Sequence, residues 1–272
     1  MLTPPPVDHN VEKMLKMRTV VSMGALLPGL GCYFCIAYTY LFQFERVMNF
    51  TQSDQCPDVH SILPPVSYSI GVWEPQKFFW LLIMFLHMPP RIFFLVLYRR
   101  MFLNSAPKST CYQCTIWFYL KTLWLEPIGL VLVSVVDIHS HFFIHAIAYA
   151  VWIINFNFNM LFNLILQANA GLVKEDTVTH YTWRIKVFMF VTGCALSVST
   201  AFSYPLFMSY CSPTAYYAFS IAEYIMVGYN SVFYCLIYWE FPKTRVTIGI
   251  RTGPHPRKIT ALTAIDVTKV PL

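Results

Sequence analysis

Charged residues are scarce in this chain. Asp, Glu, Lys and Arg make up only 12% of its 272 residues, about half the usual share, whereas apolar residues reach 57%. This composition excludes a large soluble domain. The few charges avoid six long apolar stretches and return between them. Because lipid offers no partner to an unpaired backbone group, such stretches can only be packed helices. The sequence therefore predicts an all-α, polytopic membrane protein built as a six-helix transmembrane bundle.

Several chemical signatures are also missing. The chain has no HExxH-type metal site, no GxSxG nucleophile elbow and no Gly-rich phosphate loop. A lone CxxC, Cys111 to Cys114, has no second cysteine pair nearby, so palmitoylation or no role fits it better than zinc. Basic residues form short clusters beside the apolar segments, which is not the footprint of a nucleic-acid-binding protein. The sequence thus indicates no metal, no cofactor and no nucleic-acid partner.

Each apolar stretch is long enough to cross a hydrocarbon core of about 30 Å. The predicted spans are Val20–Phe42, Lys77–Tyr98, Ile116–Val136, Phe142–Leu166, Ile185–Phe207 and Ala215–Trp239. The first is too long for a signal-peptide h-region, so we expect it to be retained as the targeting signal. The spans belong to one domain, 1–242, with a large loop at 43–76. A basic, disordered tail is predicted for 243–272.

Lys and Arg predict the orientation, because cytosolic loops carry the excess of these residues. One side holds Lys13, Lys16, Arg18, Arg99, Arg100, Lys108, Lys174, Arg184, Lys186 and the basic residues of the tail. The opposite side has only Arg46 and the border residue Lys77. We therefore expect both termini in the cytosol and the loop 43–76 in the lumen.

Two features of the non-cytosolic loops agree with this orientation. Asn49 begins a possible N-glycosylation sequon, Asn-Phe-Thr, in the large loop. Cys56 and Cys211 are the only cysteines in these loops, where oxidation is permitted, so a disulfide between them is expected. The alternative is two free thiols.

Ionisable residues inside the spans mark the candidate site, because each costs about 2.5–3.5 kcal/mol at mid-membrane and needs a partner. The candidates for catalysis or lipid-head binding are His87, Arg91, Glu126, His145, Glu223 and Asn230. By helical rise they lie in the lumenal half or near mid-depth. We expect them to share a lumen-facing pocket that suits a lipid with a polar head and apolar chains. The alternative is a structural hydrogen-bond network, in which Glu126 is simply the partner of Arg91 or Lys121.

Acyl transfer is the natural reaction for such a pocket. A histidine polarised by a carboxylate acts as general base on a lipid hydroxyl, and Arg91 stabilises oxyanion charge. No convincing covalent nucleophile is present in the sequence. The transfer would then be direct, unless the protein is not itself the enzyme. For the other polar residues nearby we expect structural roles. His139 and His141 are expected to be solvated turn residues, and the asparagines of the fourth span are expected to form interhelical hydrogen bonds.

The order and spacing of several motifs resemble a known family over residues 10 to 241. The motifs are Leu63-Pro64-Pro65-Val66-Ser67-Tyr68-Ser69-Ile70-Gly71, Glu74-Pro75-Gln76, Leu86-His87-Met88-Pro89-Pro90-Arg91, Glu126, Ile144-His145, Tyr181-Thr182-Trp183-Arg184, Tyr210-Cys211, Glu223-Tyr224, Asn230 and Trp239-Glu240-Phe241. They resemble the post-GPI-attachment-to-proteins factor 2 group of the Frag/DRAM/Sfk membrane proteins.

This resemblance implies a GPI-anchor lipid remodelling factor of the Golgi or endoplasmic reticulum membrane. Such a factor is needed for reacylation of lyso-GPI and for stable surface display of GPI-anchored proteins. Lyso-GPI lipid, GPI-anchored proteins, membrane lipids and other remodelling proteins would be its partners. Two alternatives stay open: a non-enzymatic scaffold that regulates lipid distribution or trafficking, and a small-solute transporter.

Overall fold

Six long helices form the body of the protein, and each can cross a membrane by its length and composition. The structure, a computed structural model, describes residues 10–50, 53–60, 62–105, 109–175, 177–241, 244–251 and 265–269. The spanning helices are α1 (Met17–Phe42), α4 (Gln76–Asn104), α5 (Thr110–Val135), α6 (Phe142–Asn169), α8 (Thr177–Tyr210) and α9 (Pro213–Glu240). The predicted six-helix membrane fold is confirmed. The cytosolic location of the termini stays a prediction.

Between the long helices, the described residues form three short ones: α2 (Phe44–Met48), α3 (Val66–Gly71) and α7 (Leu172–Glu175). Several spanning helices are longer than their apolar stretches. Helix α8 has 34 residues, or about 51 Å of rise, against a core of about 30 Å. Helical hydrogen bonding thus continues past the point where hydropathy falls, which is why the predicted spans are shorter at the ends.

The spanning helices close into a ring. Each packs against the next along the chain, in the order α1, α4, α5, α6, α8, α9, and α9 returns to pack against α1. Large apolar side chains on the outer faces are exposed, among them Leu30, Phe85, Phe143 and Phe188, as expected for surfaces in contact with lipid. The ring therefore has an interior in which polar side chains from different helices can meet.

Helix α3 enters one end of this ring, which we call the loop end. Four of its six residues are buried, Val66 to Ser69, and it contacts α1, α4, α5 and α9. A disulfide joins Cys56 of the same loop to Cys211, which directly follows α8. Cys56 is also packed beside the buried Phe207 and Tyr216. The loop 43–75 is thus held on the bundle by both covalent and packing contacts.

In the described part of the chain, three short strands lie at the opposite end of the bundle, where α1 begins and α9 ends. Strand β1 (Asn10–Lys16) pairs antiparallel with β2 (Thr244–Arg251), which pairs antiparallel with β3 (Ile265–Lys269). The disordered tail over 243–272 stays a prediction; the structure describes strands β2 and β3 at two of its segments. Apolar residues alternate with polar or small ones along β2, a period that is typical of a strand.

Gly129 sets the distance between α5 and α6. A Cβ at this position would lie 2.6 Å from the backbone nitrogen of Trp152, and backbone cannot swing away as a side chain can. Small residues allow such close approach of membrane helices. We expect Gly129→Ala to destabilise the protein by about 1–3 kcal/mol through overpacking, measured as a lower thermal unfolding midpoint of the purified protein. The control is Gly71→Ala, since a Cβ there meets nothing within 4 Å. Equal midpoints for the two variants would contradict this role.

Candidate functional site

A cavity of about 600 Å³ lies between α6 and α8 and reaches the loop end of the bundle. We call it the lateral cavity. Its volume is within the range of small-molecule sites. Apolar side chains form most of its wall: Ile138, Phe142, Ala146, Ala150, Ile153, Ile154, Phe158, Leu161, Phe190, Val198, Ala201, Phe202 and Phe219. From Phe142 to Phe158 the wall extends about 24 Å along α6 by helical rise. The cavity is therefore long and apolar, as a fatty acyl chain requires.

The outer edge of the lateral cavity faces the lipid. Ile154 and Phe158 of α6, with Val198 and Phe202 of α8, line the cavity and are also exposed at the protein surface. These side chains belong to membrane-spanning helices, so what they face in a bilayer is hydrocarbon. The cavity thus opens sideways between α6 and α8.

Three polar residues stand at the loop end of the lateral cavity, and each comes from a different element. Ser67 lies in the first turn of α3, His145 lies in the first turn of α6, and Glu223 lies on α9. The Ser67 hydroxyl donates to Glu223 Oε1 at 2.9 Å, and His145 Nε2 lies 3.1 Å from Ser67 Oγ. All three residues are buried and line the cavity. We call them the polar triplet.

The tautomer of His145 follows from its other ring nitrogen. His145 Nδ1 lies 2.8 Å from the carbonyl oxygen of Val136, and a carbonyl oxygen can only accept. Nδ1 therefore carries the hydrogen and donates it. In the neutral ring Nε2 has the free lone pair, and that lone pair faces Ser67. His145 is thereby oriented as a base toward a hydroxyl group.

Glu223 connects the triplet to the backbone of α3. Its Oε2 accepts from the Val66 backbone N–H at 2.9 Å, while its Oε1 accepts from Ser67. The carboxylate thus receives two donors from adjacent residues of one short helix. This pair of bonds fixes α3 in the mouth of the ring and sets the position of the Ser67 hydroxyl.

Two members of the triplet, His145 and Glu223, are among the residues predicted from the sequence, but Ser67 is not. Serine is common and no nucleophile motif surrounds this one, so composition and spacing gave no reason to select it. A weak signal is present, since Ser67 lies within the Leu63 to Gly71 run that carries the family resemblance. Its importance comes from contacts with residues 78 and 156 positions away.

A second polar group lies deeper in the ring, around Glu126 of α5. Arg91 Nη1 donates to Glu126 Oε1 at 2.9 Å, and Asn230 Nδ2 donates to the same oxygen at 2.6 Å. Asn159 Nδ2 donates to Oε2 at 2.8 Å, and the hydroxyl of Tyr234 donates to the same oxygen. Arg91 Nη2 also donates to Asn230 Oδ1 at 2.5 Å. We call these five residues the central cluster.

The central cluster is a structural network by its geometry. Glu126 is fully buried, and its two oxygens together accept four donors from α4, α6 and α9. Of the two partners considered from the sequence, Arg91 is the one that pairs with it, while Lys121 lies over the ring of Trp117. A carboxylate with its acceptor sites occupied is a poor proton acceptor for a substrate.

The two polar groups are neighbours without sharing the lateral cavity. Asn230 and Glu223 both line a second cavity of only about 50 Å³, together with Cys32, Trp80 and Trp152. The single shared pocket expected from the sequence is thus divided in the structure. His145 and Glu223 belong to the lateral cavity, whereas Arg91, Glu126 and Asn230 belong to the central cluster.

His87 belongs to neither group. Its Nδ1 lies 3.1 Å from the carbonyl oxygen of Ile83 on its own helix, and its side chain is buried. Its Nε2 has no hydrogen-bond partner among the described residues. Although His87 and Arg91 are one helical turn apart, as the sequence indicates, neither ring nitrogen of His87 is hydrogen-bonded to Glu126 or Glu223.

A third polar group, which the sequence analysis does not predict, lies near the end of the bundle where α9 ends. Lys186 Nζ donates to Glu240 Oε1 at 2.5 Å and to Asn163 Oδ1 at 2.9 Å, and Tyr98 donates to Glu240 Oε2 at 2.8 Å. Lys186 is fully buried, although the sequence places it among the loop charges. Long helices carry such charges into the ring when a partner such as Glu240 is present.

The remaining candidates lie at the edges. Asp137, beyond the end of α5, pairs at 3.3 Å with Lys77 in the first turn of α4. Partial burial alone would raise the pKa of Asp137, but hydrogen bonds from the His139 and Ser140 backbone and the Lys77 ammonium lower the pKa below its usual value.

Asn49 directly follows α2, and the Thr51 that completes its sequon lies outside the described residues. Cys111 and Cys114 are exposed free thiols. Within the described ranges, no group of His, Cys, Asp and Glu is placed to hold a metal ion.

Comparison with known proteins gives consistent matches. The family profile described as the Frag1/DRAM/Sfk1/Cwh43P N-terminal domain matches residues 18–244. The chain is 26% identical over 248 residues to "Acyltransferase PGAP2" of Xenopus tropicalis, covering 89% of this chain and 94% of the relative. It is 28% identical over 229 residues to "Post-GPI attachment to proteins factor 2" of Drosophila melanogaster, covering 84% and 86%. The protein of that name in Caenorhabditis elegans is 25% identical over 256 residues, covering 90% and 93%. No solved structure matches the chain significantly.

Proposed function

Because this chain belongs to the Frag1/DRAM/Sfk1/Cwh43P family, we propose that it is a GPI-anchor lipid remodelling factor. Its role is the fatty-acid reacylation of lyso-GPI, on which stable surface display of GPI-anchored proteins depends. The names of its relatives refer to events after GPI attachment, and one of them is named an acyltransferase. Lyso-GPI and the proteins that carry it are the partners in this proposal.

The observation that carries the proposal is the lateral cavity with the polar triplet at its end. An acyl chain is apolar along its length and reactive only at its terminal carbonyl. The apolar walls of the cavity match the chain, because an acyl chain that leaves the bilayer for this cavity remains in apolar surroundings. The buried His145 and Ser67 meet the carbonyl end.

The chemistry at this end is general base catalysis. His145 Nε2, with its free lone pair directed into the site, removes a proton from the attacking hydroxyl. Glu223 accepts hydrogen bonds from the Val66 backbone and the Ser67 hydroxyl, so it positions Ser67 and α3 rather than polarising His145. The carboxylate-polarised histidine expected from the sequence is therefore replaced in this proposal by one oriented through the Val136 carbonyl.

The compartment proposed is the lumen of the Golgi apparatus or endoplasmic reticulum. The Lys and Arg pattern favours cytosolic termini, which leaves the loop end in the lumen. The Cys56–Cys211 disulfide supports the same side, because disulfides persist in oxidising compartments and are rare in the cytosol. The head group of a GPI lipid lies on this lumenal side, next to the polar triplet.

Filling the lateral cavity tests the proposal. We expect Ala146→Phe and Ala150→Phe to lower surface GPI-anchored protein several-fold in cells that lack the endogenous protein, with accumulation of single-chain GPI. Both alanines line the cavity, so a phenyl ring there takes the volume of the acyl chain. The measurements are flow cytometry of a GPI-anchored reporter and mass spectrometry of its lipid.

The matched control is Ala37→Phe, which adds the same ring to an exposed position on α1 outside the cavity. This variant should rescue surface display like the wild type. Full rescue by both cavity-filling variants, at normal protein levels, would refute a role for the lateral cavity in remodelling.

A further inference from the structure

We propose that Ser67 is a covalent nucleophile that carries the fatty acyl group between donor and lysolipid. This inference rests on the proposed function and deepens it, because it replaces direct transfer by a two-step transfer through an acyl-serine. The position of one hydroxyl group between two proton acceptors, at the end of an apolar cavity, is the observation behind it.

The Ser67 hydroxyl has one proton and two acceptors within reach. His145 Nε2 lies at 3.1 Å and Glu223 Oε1 at 2.9 Å. His145 Nε2 cannot donate in the neutral ring, because Nδ1 holds the hydrogen and donates it to the Val136 carbonyl. Both His145 Nε2 and Glu223 Oε1 are therefore placed to accept the Ser67 proton, and together they polarise its O–H bond. A histidine nitrogen at hydrogen-bond distance from a serine oxygen is the arrangement by which enzymes activate this weak nucleophile.

Two other serines of the bundle, Ser134 and Ser197, donate their hydroxyl proton to the backbone. Their acceptors are backbone carbonyls of their own helices, at 2.7 and 2.8 Å. A hydrogen bond from the side-chain hydroxyl to the backbone carbonyl oxygen one turn earlier is the usual arrangement for serine within a membrane helix. Ser67 is bonded to side chains from two other helices instead, and it is also part of the wall of the lateral cavity. Its hydroxyl is thus both polarised and adjacent to the space for a substrate.

Glu223 and the disulfide keep this hydroxyl in place. Glu223 accepts from Val66 and Ser67 together, so α3 cannot rotate without breaking both bonds. The loop that contains α3 is further tied to α8 through Cys56 and Cys211. A nucleophile on a short loop helix is thereby held against a base on a spanning helix, as catalysis requires.

The first half-reaction forms an acyl-serine. Ser67 Oγ attacks the carbonyl carbon of a fatty acyl ester or thioester while His145 Nε2 takes the hydroxyl proton. The bond from the acyl carbon to the leaving group then breaks, and His145 returns the proton to the departing alkoxide or thiolate. The remainder of the donor leaves as a free alcohol or thiol, and the acyl group is now bound to Ser67 as an ester.

The second half-reaction transfers the acyl group. The free hydroxyl of the lysolipid attacks the acyl-serine carbonyl, and His145 Nε2 takes its proton. The bond to Ser67 Oγ breaks, and Ser67 recovers its proton from His145. Donor and acceptor never need to occupy the lateral cavity together, which suits a single cavity with one polar end.

The test uses full-length purified protein and a hexadecyl fluorophosphonate, whose phosphorus is attacked by an activated serine with loss of fluoride. We expect the wild type to be labelled on the peptide that contains Ser67, as read by mass spectrometry. Ser67→Ala should abolish this label, and His145→Gln should slow it by about 100-fold or more. The matched control is Ser69→Ala in the same helix, which should label like the wild type, since Ser69 is buried and does not line the cavity.

A second variant covers the case in which Ser67→Ala fails to fold. Ser67→Cys keeps a nucleophile at the same position, and incubation with a palmitoyl thioester or ester donor should give an adduct at residue 67 that neutral hydroxylamine removes. No label on the wild-type Ser67, or equal labelling in Ser67→Ala and wild type, would overturn the proposal.

The cell assay separates this inference from the proposed function. Should Ser67→Ala restore two-chain GPI while Ala146→Phe does not, the acyl-serine is refuted and remodelling through the lateral cavity stands. Should all of these variants restore it, the proposed function fails as well. Loss of remodelling in both, with the label confined to Ser67, supports the two-step transfer.

Discussion

Arg91→Met is expected to cause the largest loss of stability of any single substitution in the bundle. It removes the guanidinium that pairs with Glu126 at 2.9 Å and leaves a carboxylate that is completely inaccessible to solvent. Breaking a buried ion pair in this way costs about 3–5 kcal/mol, because the remaining charge is uncompensated. We expect little folded protein after purification and a strongly lowered thermal unfolding midpoint for what remains.

Two further variants give this expectation its controls. Arg99→Met makes the same change on the same helix at an exposed position, and should leave the midpoint nearly unchanged. Arg91→Met combined with Glu126→Gln removes both charges and should recover part of the loss, since no buried charge is left unpaired and the amide oxygen still accepts from one of the two asparagines, Asn159 or Asn230. A midpoint for Arg91→Met that equals that of Arg99→Met would show that the central cluster does not stabilise the bundle.

His145→Gln is expected to have the largest effect on remodelling. A positioned general base contributes about 10²–10⁴-fold to a rate, and glutamine cannot take up a proton in the same way. Because the glutamine amide can still donate toward the Val136 carbonyl, the fold should be largely kept. Cells with this variant alone should show two-chain GPI at the level of cells without the protein.

The control for His145 lies one helical turn earlier. His141 is exposed and is the residue before α6, so His141→Gln alters the same turn without touching the polar triplet. It should restore remodelling in full. Normal two-chain GPI in His145→Gln cells, at a protein level equal to that of His141→Gln, would remove His145 from the mechanism.

The spanning helices were predictable because lipid imposes a local rule. Hydropathy over about 20 residues suffices to find a span, whatever the rest of the chain does. The pairing of Arg91 with Glu126 was within reach too, as one of the alternatives weighed from the sequence, since buried charges need partners. These features depend on short stretches and on simple energetics.

The polar triplet was not predictable in the same way. Helix α3 has six residues within a loop that composition alone assigns to solvent, and its burial depends on Glu223, which is 157 positions from Val66. The ion pair of Lys186 with Glu240 at 2.5 Å was not predictable either, because Lys186 lies among the loop charges in the sequence. Long-range contacts of this kind decide which polar residues share a site, and no local pattern encodes them.

The gap between α6 and α8 has a kinetic consequence for any lipid that uses it. A molecule entering past Ile154 and Phe202 moves from hydrocarbon to protein without crossing water. Its supply is therefore set by its mole fraction in the surrounding leaflet and by two-dimensional diffusion. Changing the lipid composition of the membrane should alter occupancy of the protein even where the amount of lipid dissolved in the aqueous phase stays the same.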